Sequence, residues 1–415
     1  MTEEILGRDW NRRSLLATVG GAPMLPATLT RSITEQNTSP SIVRTGRSIE
    51  TFGARPDAPG AVNLLALRHC LAACRDDGSP VLVPAGEYAL SNLGRPISLD
   101  LTRQVRGAPH AVAVVGIAGP GQSLLRIEGR TGGLRFEGPT DWFDPILEGL
   151  GFVGALAGPL VSIGRDNFSD PVNMLRIRDV AVDNSFDQGP VTALRLNYLA
   201  PGSLAIGLKA NAYADGRGNN HGTAIECRQV ECMTFAGGAA SNATTGFAIR
   251  DGVNFGITVQ GFTFENTDVA YSNEVATSGA HAVLGCQFSE IRQRAIRSTG
   301  CNQSQWIEFV ANNFALSATS IVDPKACEGV RIHGRQGIST PPLPASGTLL
   351  RNFSGQPVQV SIWGGLVRAL LIDGARMDGV EPTPMPVGTG IILSPGSAIG
   401  LDYVSAPNWR WSNAG

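Results

Sequence analysis

Seven segments of this 415-residue chain share one pattern. Aligned on Phe152, Val182, Phe235, Phe264, Phe288, Phe314 and Met377, each carries an apolar residue five positions earlier: Leu147, Ile177, Val230, Val259, Val283, Phe309 and Ile372. Three positions earlier stand Gly149, Asp179, Cys232, Gly261, Gly285, Ala311 and Gly374, all small except Asp179. Most successive anchors are one unit apart, while the steps from Val182 to Phe235 and from Phe314 to Met377 are about twice as long and read as two units each. A repeat of about 24–30 residues made of short alternating strands points to a coil with three strands per turn, whose inward side chains stack as ladders. Helical repeats of this length would need longer runs of 3.6-residue periodicity and far less glycine. The aligned Phe residues are therefore expected as core ladders rather than as a ligand-stacking stripe.

Composition agrees with a turn-dense β protein. Gly (51) and Pro (26) are abundant, and only 16% of residues are charged, against roughly 25% ordinarily. A hydrophobic content of 42% excludes a disordered chain. A formal net charge of −2 argues against a nucleic-acid partner, which calls for a basic excess. Lys209 and Lys325 are the only lysines, so 31 of the 33 basic residues are Arg. A GC-rich genome accounts for that bias; a functional reading is that Arg forks suit carboxylate ligands such as uronic acids. The seven cysteines show no paired C-x-x-C spacing, so neither a zinc site nor a disulfide framework is indicated, and buried single thiols are expected.

Asn11-Arg12-Arg13-Ser14-Leu15-Leu16 precedes a mildly apolar stretch, Ala17 to Leu29, broken by Gly20, Gly21, Pro23 and Pro26. This resembles a bacterial twin-arginine export signal, which implies a periplasmic or secreted protein; the competing reading is an ordinary disordered terminus. The run is too short and too broken to span a bilayer, and no other stretch of about 18 apolar residues occurs, so no membrane insertion is expected.

Residues 49–90 run Ile-Glu-Thr-Phe-Gly-Ala-Arg-Pro-Asp, then a segment with apolar Val62, Leu64, Leu65, Leu67, Cys70, Leu71 and Cys74 at helical spacing, then Pro80-Val-Leu-Val-Pro-Ala-Gly-Glu-Tyr88. This block resembles the opening of pectin-lyase-like proteins, including the pectate lyase superfamily domain and polygalacturonases. Asp57 fits the acidic loop those proteins carry before the helix, and Asn63 stands where a second Asp is common. The resemblance implies an all-β, right-handed parallel β-helix (a solenoid) with an N-terminal capping helix that covers the open end of the coil. The expected organisation is a signal and linker over 1–35, linker over 36–48, cap over 49–90, rungs over 91–380 and a closing segment over 381–415. Prolines 341, 342 and 344, and 382, 384 and 386, mark breaks near the end. Trp409 and Trp411 are expected to cover the last rung, with a sugar platform as the alternative.

Motifs with known chemistry are absent: there is no P-loop, H-E-x-x-H or G-x-S-x-G. The polygalacturonase set (Asn-Thr-Asp, Asp-Asp, Gly-His-Gly, Arg-Ile-Lys) does not occur as a set, since Gly-His-Gly and Arg-Ile-Lys are missing although Asn266-Thr267-Asp268 and Asp76-Asp77 are present. Calcium-holding Asp-rich strands are not found either, so neither cofactor nor metal is expected. Residues one rung apart stack at about 4.8 Å, so offsets of 24–26 become neighbours. That gathers Arg250, Asp251, Asp268, Tyr271, Glu274, Arg294 and Arg297. In a lyase, Arg297 or Arg250 would neutralise a uronate carboxylate while Tyr271 or another base removes the α-proton. In a hydrolase, Asp251 and Glu274 would serve as acid and base. The competing reading is a solvated ladder of salt bridges, each worth little. His221, in the loop Asp215-Gly-Arg-Gly-Asn-Asn-His221, is a further substrate-binding candidate, or part of a plain Gly-Asn turn.

Two functions follow as expectations. One is an exported carbohydrate-active β-helix enzyme that cleaves an acidic polysaccharide by elimination or hydrolysis. The other is a non-catalytic glycan-binding, adhesin-like or tail-spike-like β-helix, with a homotrimer as its assembly state.

Overall fold

The computed structural model describes residues 45–414, apart from 94, 106, 139–141, 187–190, 213–219, 276–277, 299–305, 316–319, 323–329, 334–337, 339 and 355. The export-signal segment (1–35) and the loop residues Asp215–Asn219 lie outside the described residues.

Parallel pairing winds the chain into three faces. On the first, Val81, Val114, Leu147, Ile177, Ala205, Phe235, Val259, Val283, Phe309 and Ile332 are register partners in one column. On the second, the column is Tyr88, Leu125, Phe152, Val182, Ala210, Ala240, Phe264, Phe288 and Phe314. On the third it is Ile97, Leu134, Val161, Leu194, Ile225, Phe247, Tyr271 and Ile296. All are buried except the half-buried Phe314. Stacked parallel strands are joined by one backbone turn per rung, and the result is a right-handed parallel β-helix with a helix at its N-terminal end.

The rungs shorten along the chain: the step from Val81 to Val114 takes far more sequence than the step from Val259 to Val283 or from Phe309 to Ile332. Early rungs are longer because they carry insertions, such as the antiparallel hairpin of Thr102–Val105 and Ala108–Ala111. Later rungs carry almost none: Thr234–Ile249 is one strand that passes through all three faces. From the third rung onward the corner between first and second faces is made by a left-handed residue. Gly149, Asp179, Gly207, Gly237, Gly261, Gly285 and Ala311 fill it, with φ between 49° and 66°.

Two expected anchors fall elsewhere. Phe235 belongs to the first-face ladder, five positions before the true second-face residue Ala240, so its corner residue is Gly237 and not Cys232. Val230 pairs with Leu199 on the way into the first face. Met377 is outside the coil, antiparallel to Leu370 and 58% exposed.

The cap is helix α1 (Gly60–Asp77), which buries Leu64, Leu67, Cys70, Leu71 and Cys74 in the same apolar core as Val81, Val83 and Tyr88. Asn63 is fully buried and structural: its Oδ1 accepts from the Arg55 N–H (2.9 Å) and its Nδ2 donates to the Arg55 carbonyl (3.0 Å). Cys227 and Cys286 are buried too, whereas Cys232 is exposed.

The last described coil strand is Val330–His333, not a rung near 380. From Leu349 onward the chain forms an antiparallel sheet ordered Leu349–Arg351, Ala398–Ser405, Val358–Ile372, Ala375–Leu393, with Asn408–Asn413 also on Val358–Ile372. Its core, including Val358, Val360, Ile362, Ile399, Trp409 and Trp411, is distinct from that of the coil. The closing segment is therefore a separate small sheet, and the two tryptophans fill its interior rather than covering a rung. Among the described residues no helix is long and apolar enough to cross a membrane.

Candidate functional site

Strand alternation sends every second residue of the third face outward. One outward column reads Ser98, Arg135, Ser162, Arg195, Glu226, Ala248, Ser272 and Arg297. The neighbouring column carries Asn197 beside Arg228; Arg250 and Glu274 continue it, since their N–H groups bond Cys227 O and Ile249 O. Arginine alternates with serine in the first four positions, so long side chains have room to lie over short ones.

Glu226 is the centre of this surface. Its side chain is 5% exposed although it points away from the coil. Arg195 Nε lies 3.2 Å from its carboxylate, Arg250 Nη1 3.8 Å and Arg228 Nε 3.9 Å, and Thr192 Oγ1 donates to it at 3.2 Å. The next residue in its column, Ala248, is fully buried and too small to displace the guanidinium groups. Desolvating a carboxylate in this way is sustained only by such charge-assisted partners.

Each of those arginines also reaches a second acid. Arg250 meets Glu274 fork to fork, Nε–Oε2 2.9 Å and Nη2–Oε1 3.2 Å. Burial works against the Arg250 charge, but Glu274, Glu226 and Asp251 outweigh it and hold its pKa above the ordinary value. Arg228 donates to Asp251 at 2.8 and 2.7 Å, and its guanidinium lies over the Phe168 ring at 5.2 Å. Asp166, in the loop after the strand Gly158–Ile163, faces Arg195 (3.6 Å), Arg228 (3.7 Å) and Arg135. Acids and arginines thus alternate over several rungs.

Beside this network is a depression of about 130 Å³ lined by Pro96, Gly132, Gly133, Leu134, Arg135, Pro159, Ser162, Asp166 and Arg195. Gly133 is required there, since a Cβ would sit 2.1 Å from Pro159 O and 2.3 Å from Leu160 O. Among the described residues no cluster of three or more His, Cys, Asp or Glu could hold a metal ion.

The eight residues singled out from the sequence divide into four places. Arg250, Asp251 and Glu274 do meet, at the network just described. Asp268 lies toward the opposite edge of the face, where Asn220 and Gln293 donate to it at 3.3 Å each. Partial burial raises its pKa, against Arg292, Asn220 and Arg297. His221 adjoins this edge, since its carbonyl accepts from Thr244 N–H and Thr244 Oγ1 donates to Asn220 O. Arg294 is there as well, as the register partner of Val269 with Nη1 donating to Gln293 O. Asp268 and Glu274 are six positions apart along one strand and its end, roughly 20 Å, so they cannot share one glycosidic bond. Arg297 stands between the two groups, beside Ser272. Tyr271 is inside the coil, fully buried and stacked on Phe247 (centroids 5.4 Å, planes 2° apart), with Phe309 edge-on at 5.7 Å. It cannot reach a ligand on the face. The register at this rung is one position shorter than the sequence reading took it to be, which pairs Tyr271 with Ile296 rather than Arg297, and brings Gln293 rather than Arg294 beside Asp268.

Glu226, Asp166, Arg135, Arg195 and Arg228 were not singled out from the sequence. The Arg–Ser alternation in their column was the signal available, but it emerges only once rungs of unequal length are aligned.

No protein-family model and no curated protein matches this sequence. Among solved structures, the chain is similar to pre-mature bacteriophage phi29 gene product 12 (TM-score 0.44, 14% identity, covering 64% of this chain and 36% of that one). It is also similar to the enzymatically active domain of bacteriophage CBA120 tailspike protein 2 (0.40, 10%, covering 90% and 74%). A third is Pantoea stewartii WceF, described as a glycan biofilm modifying enzyme with a tailspike-like parallel β-helix fold (0.34, 13%, covering 88% and 61%). The chain spans about a third of the length of the first of these. These are distant likenesses, and the β-helix rests on the register of the chain's own strands.

Proposed function

We propose that this protein acts on an acidic polysaccharide that lies along the third face of the coil. The observation that carries the reading is the set of guanidinium groups held around Glu226 next to an open depression. Arg135 and Arg195 stand two rungs apart in one column, roughly 9–10 Å, so a chain laid along the coil axis meets two forks at that spacing. A ligand carboxylate enters by exchanging with Asp166, which is 41% exposed, at Arg135 and Arg195. Glu226 keeps the forks in place during the exchange and is a positioning residue. The half-buried Phe168 beside Arg228 offers an apolar surface for a sugar ring.

Of the two cleavage chemistries, hydrolysis fits this face better. Asp166, Asp251 and Glu274 are solvent-accessible carboxylates on it, whereas Tyr271, the one residue named as a base for elimination, is enclosed and leaves that role to another group. Export by the twin-arginine-like segment belongs to the same proposal, since the substrate would be extracellular; fusing residues 1–44 to a reporter and locating it in a bacterium with and without twin-arginine transport tests that part. A second, non-catalytic reading, with a homotrimer as assembly state, is favoured by one observation: each acid of the network is already engaged by a guanidinium group.

Incubation with uronate-containing and neutral polysaccharides separates these outcomes. New reducing ends without ultraviolet absorbance are expected; absorbance near the double-bond region would mean elimination. Binding alone across a broad panel would leave the non-catalytic reading, and no binding to any acidic glycan would overturn the proposal. Asp166→Asn should alter turnover or affinity while Arg294→Ala, at the far edge, should not.

A further inference from the structure

Between the coil and the C-terminal sheet the chain runs Thr340-Pro341-Pro342-Leu343-Pro344-Ala345-Ser346. The rings of Pro341, Pro342 and Pro344 fix their own φ. Thr340, Pro341 and Leu343 each precede a proline and are thereby kept out of the helical region. These restraints favour polyproline II over residues 340–344, a conformation that has three residues per turn and leaves its own carbonyls without internal hydrogen bonds. Carbonyls three residues apart then point the same way. Two of them are taken by aromatic donors of the sheet: Trp409 Nε1–H donates to Pro341 O at 2.9 Å, and Tyr403 O–H donates to Pro344 O at 2.9 Å. Trp411 N–H donates to Thr340 Oγ1 at 3.0 Å, and Tyr403 N–H to Ser346 Oγ at 2.8 Å. Leu343 packs on the sheet's core, while Pro342 and Ala345 are exposed. Trp409 and Trp411 meet edge to face at 5.7 Å beneath this segment.

We propose that the C-terminal sheet is a binding site for proline-rich peptides of P-x-x-P spacing, and that Thr340–Ser346 is its built-in ligand. A linker held only by its apolar side chains would leave the carbonyl spacing unread. Here an indole and a phenol read two carbonyls three residues apart, the repeat of a polyproline turn, and aromatic-lined grooves are what recognise such segments. The site is independent of the third face of the coil, and it needs no sugar ligand. Occupied by its own strap, it ties the sheet to the segment that follows the coil.

The test uses the full chain with residues 340–346 replaced by a Gly/Ser segment of equal length, and a fluorescent peptide of residues 338–347. Saturable binding to this variant is expected by anisotropy, at least tenfold tighter than to the wild type, whose own strap competes. A peptide carrying Pro341→Gly and Pro344→Gly should bind at least tenfold more weakly. Equal binding of both peptides, or none to a variant that retains the near-ultraviolet signal of the tryptophan pair, overturns the proposal. Should that variant lose the signal, Tyr403→Phe in the intact chain decides: loss of one hydrogen bond should speed proteolysis within 340–348 about fivefold. Unchanged cleavage there overturns it.

Discussion

Glu226 and His281 are buried polar residues with opposite electrostatic settings. Glu226 is enclosed by guanidinium groups, so Glu226→Gln leaves Arg195, Arg228 and Arg250 facing one another without their shared acid. Those arginines are 18–33% exposed, so solvent screens part of the repulsion, and the expected loss is about 2 kcal/mol. Thermal unfolding at low and high salt checks this, since salt should restore part of the lost stability. His281 is 1% exposed, its Nδ1 accepts from the Ile257 N–H at 3.3 Å, and burial pushes its pKa down to about 4. In the unfolded chain it returns to about 6.5, so between these values the unfolded state binds more protons. Stability should therefore rise with pH from about 4 to 6.5 and level off above, a gain of about 3 kcal/mol from this residue. Urea midpoints measured across that range should show the slope in wild type and not in His281→Gln.

At the level of the strand and its corner, legibility in the sequence depended on side-chain size. The segments with Phe264, Phe288 and Phe314 carried the period openly. Two rungs were hidden because their second-face residues are Ala210 and Ala240, which carry no signature, and the larger Phe235 drew the alignment onto the wrong ladder. The position of Glu226 was invisible for a related reason: its column partners Arg195 and Ala248 stand at unequal sequence distances on either side of it, and no single period contains both. Corner glycines were legible because a left-handed residue recurs at the corner from Gly149 to Ala311. Asparagine at a corner was not, since its role lies in bonds to distant backbone. Buried Asn184 accepts from Leu156 N–H and donates toward Leu156 O, Gly158 O and Thr192 O, all within 3.1 Å. Asn184→Ala should cost about 2–3 kcal/mol by leaving those backbone groups unsatisfied, measured as a lower denaturant midpoint with unchanged m-value.

The described residues form two apolar cores with no shared member, one threaded through the coil and one inside the C-terminal sheet. Calorimetry should accordingly resolve two transitions, and Trp411→Ala should lower only one of them; a single transition shifted as a whole would show that the strap couples the two cores energetically. The uneven length of the rungs has its own bearing on how this protein can be altered. The wide early rungs already host excursions, and the hairpin tip at Gly107 (φ 84°) has open space around it. Where Thr234–Ile249 runs through all three faces as one strand, an added residue would throw the remainder of that strand out of register with its neighbours. Foreign sequence such as an epitope tag should thus be accepted after Gly107 and rejected within 234–249, which makes the early end of the coil the place where this protein tolerates added length and the middle the part that does not.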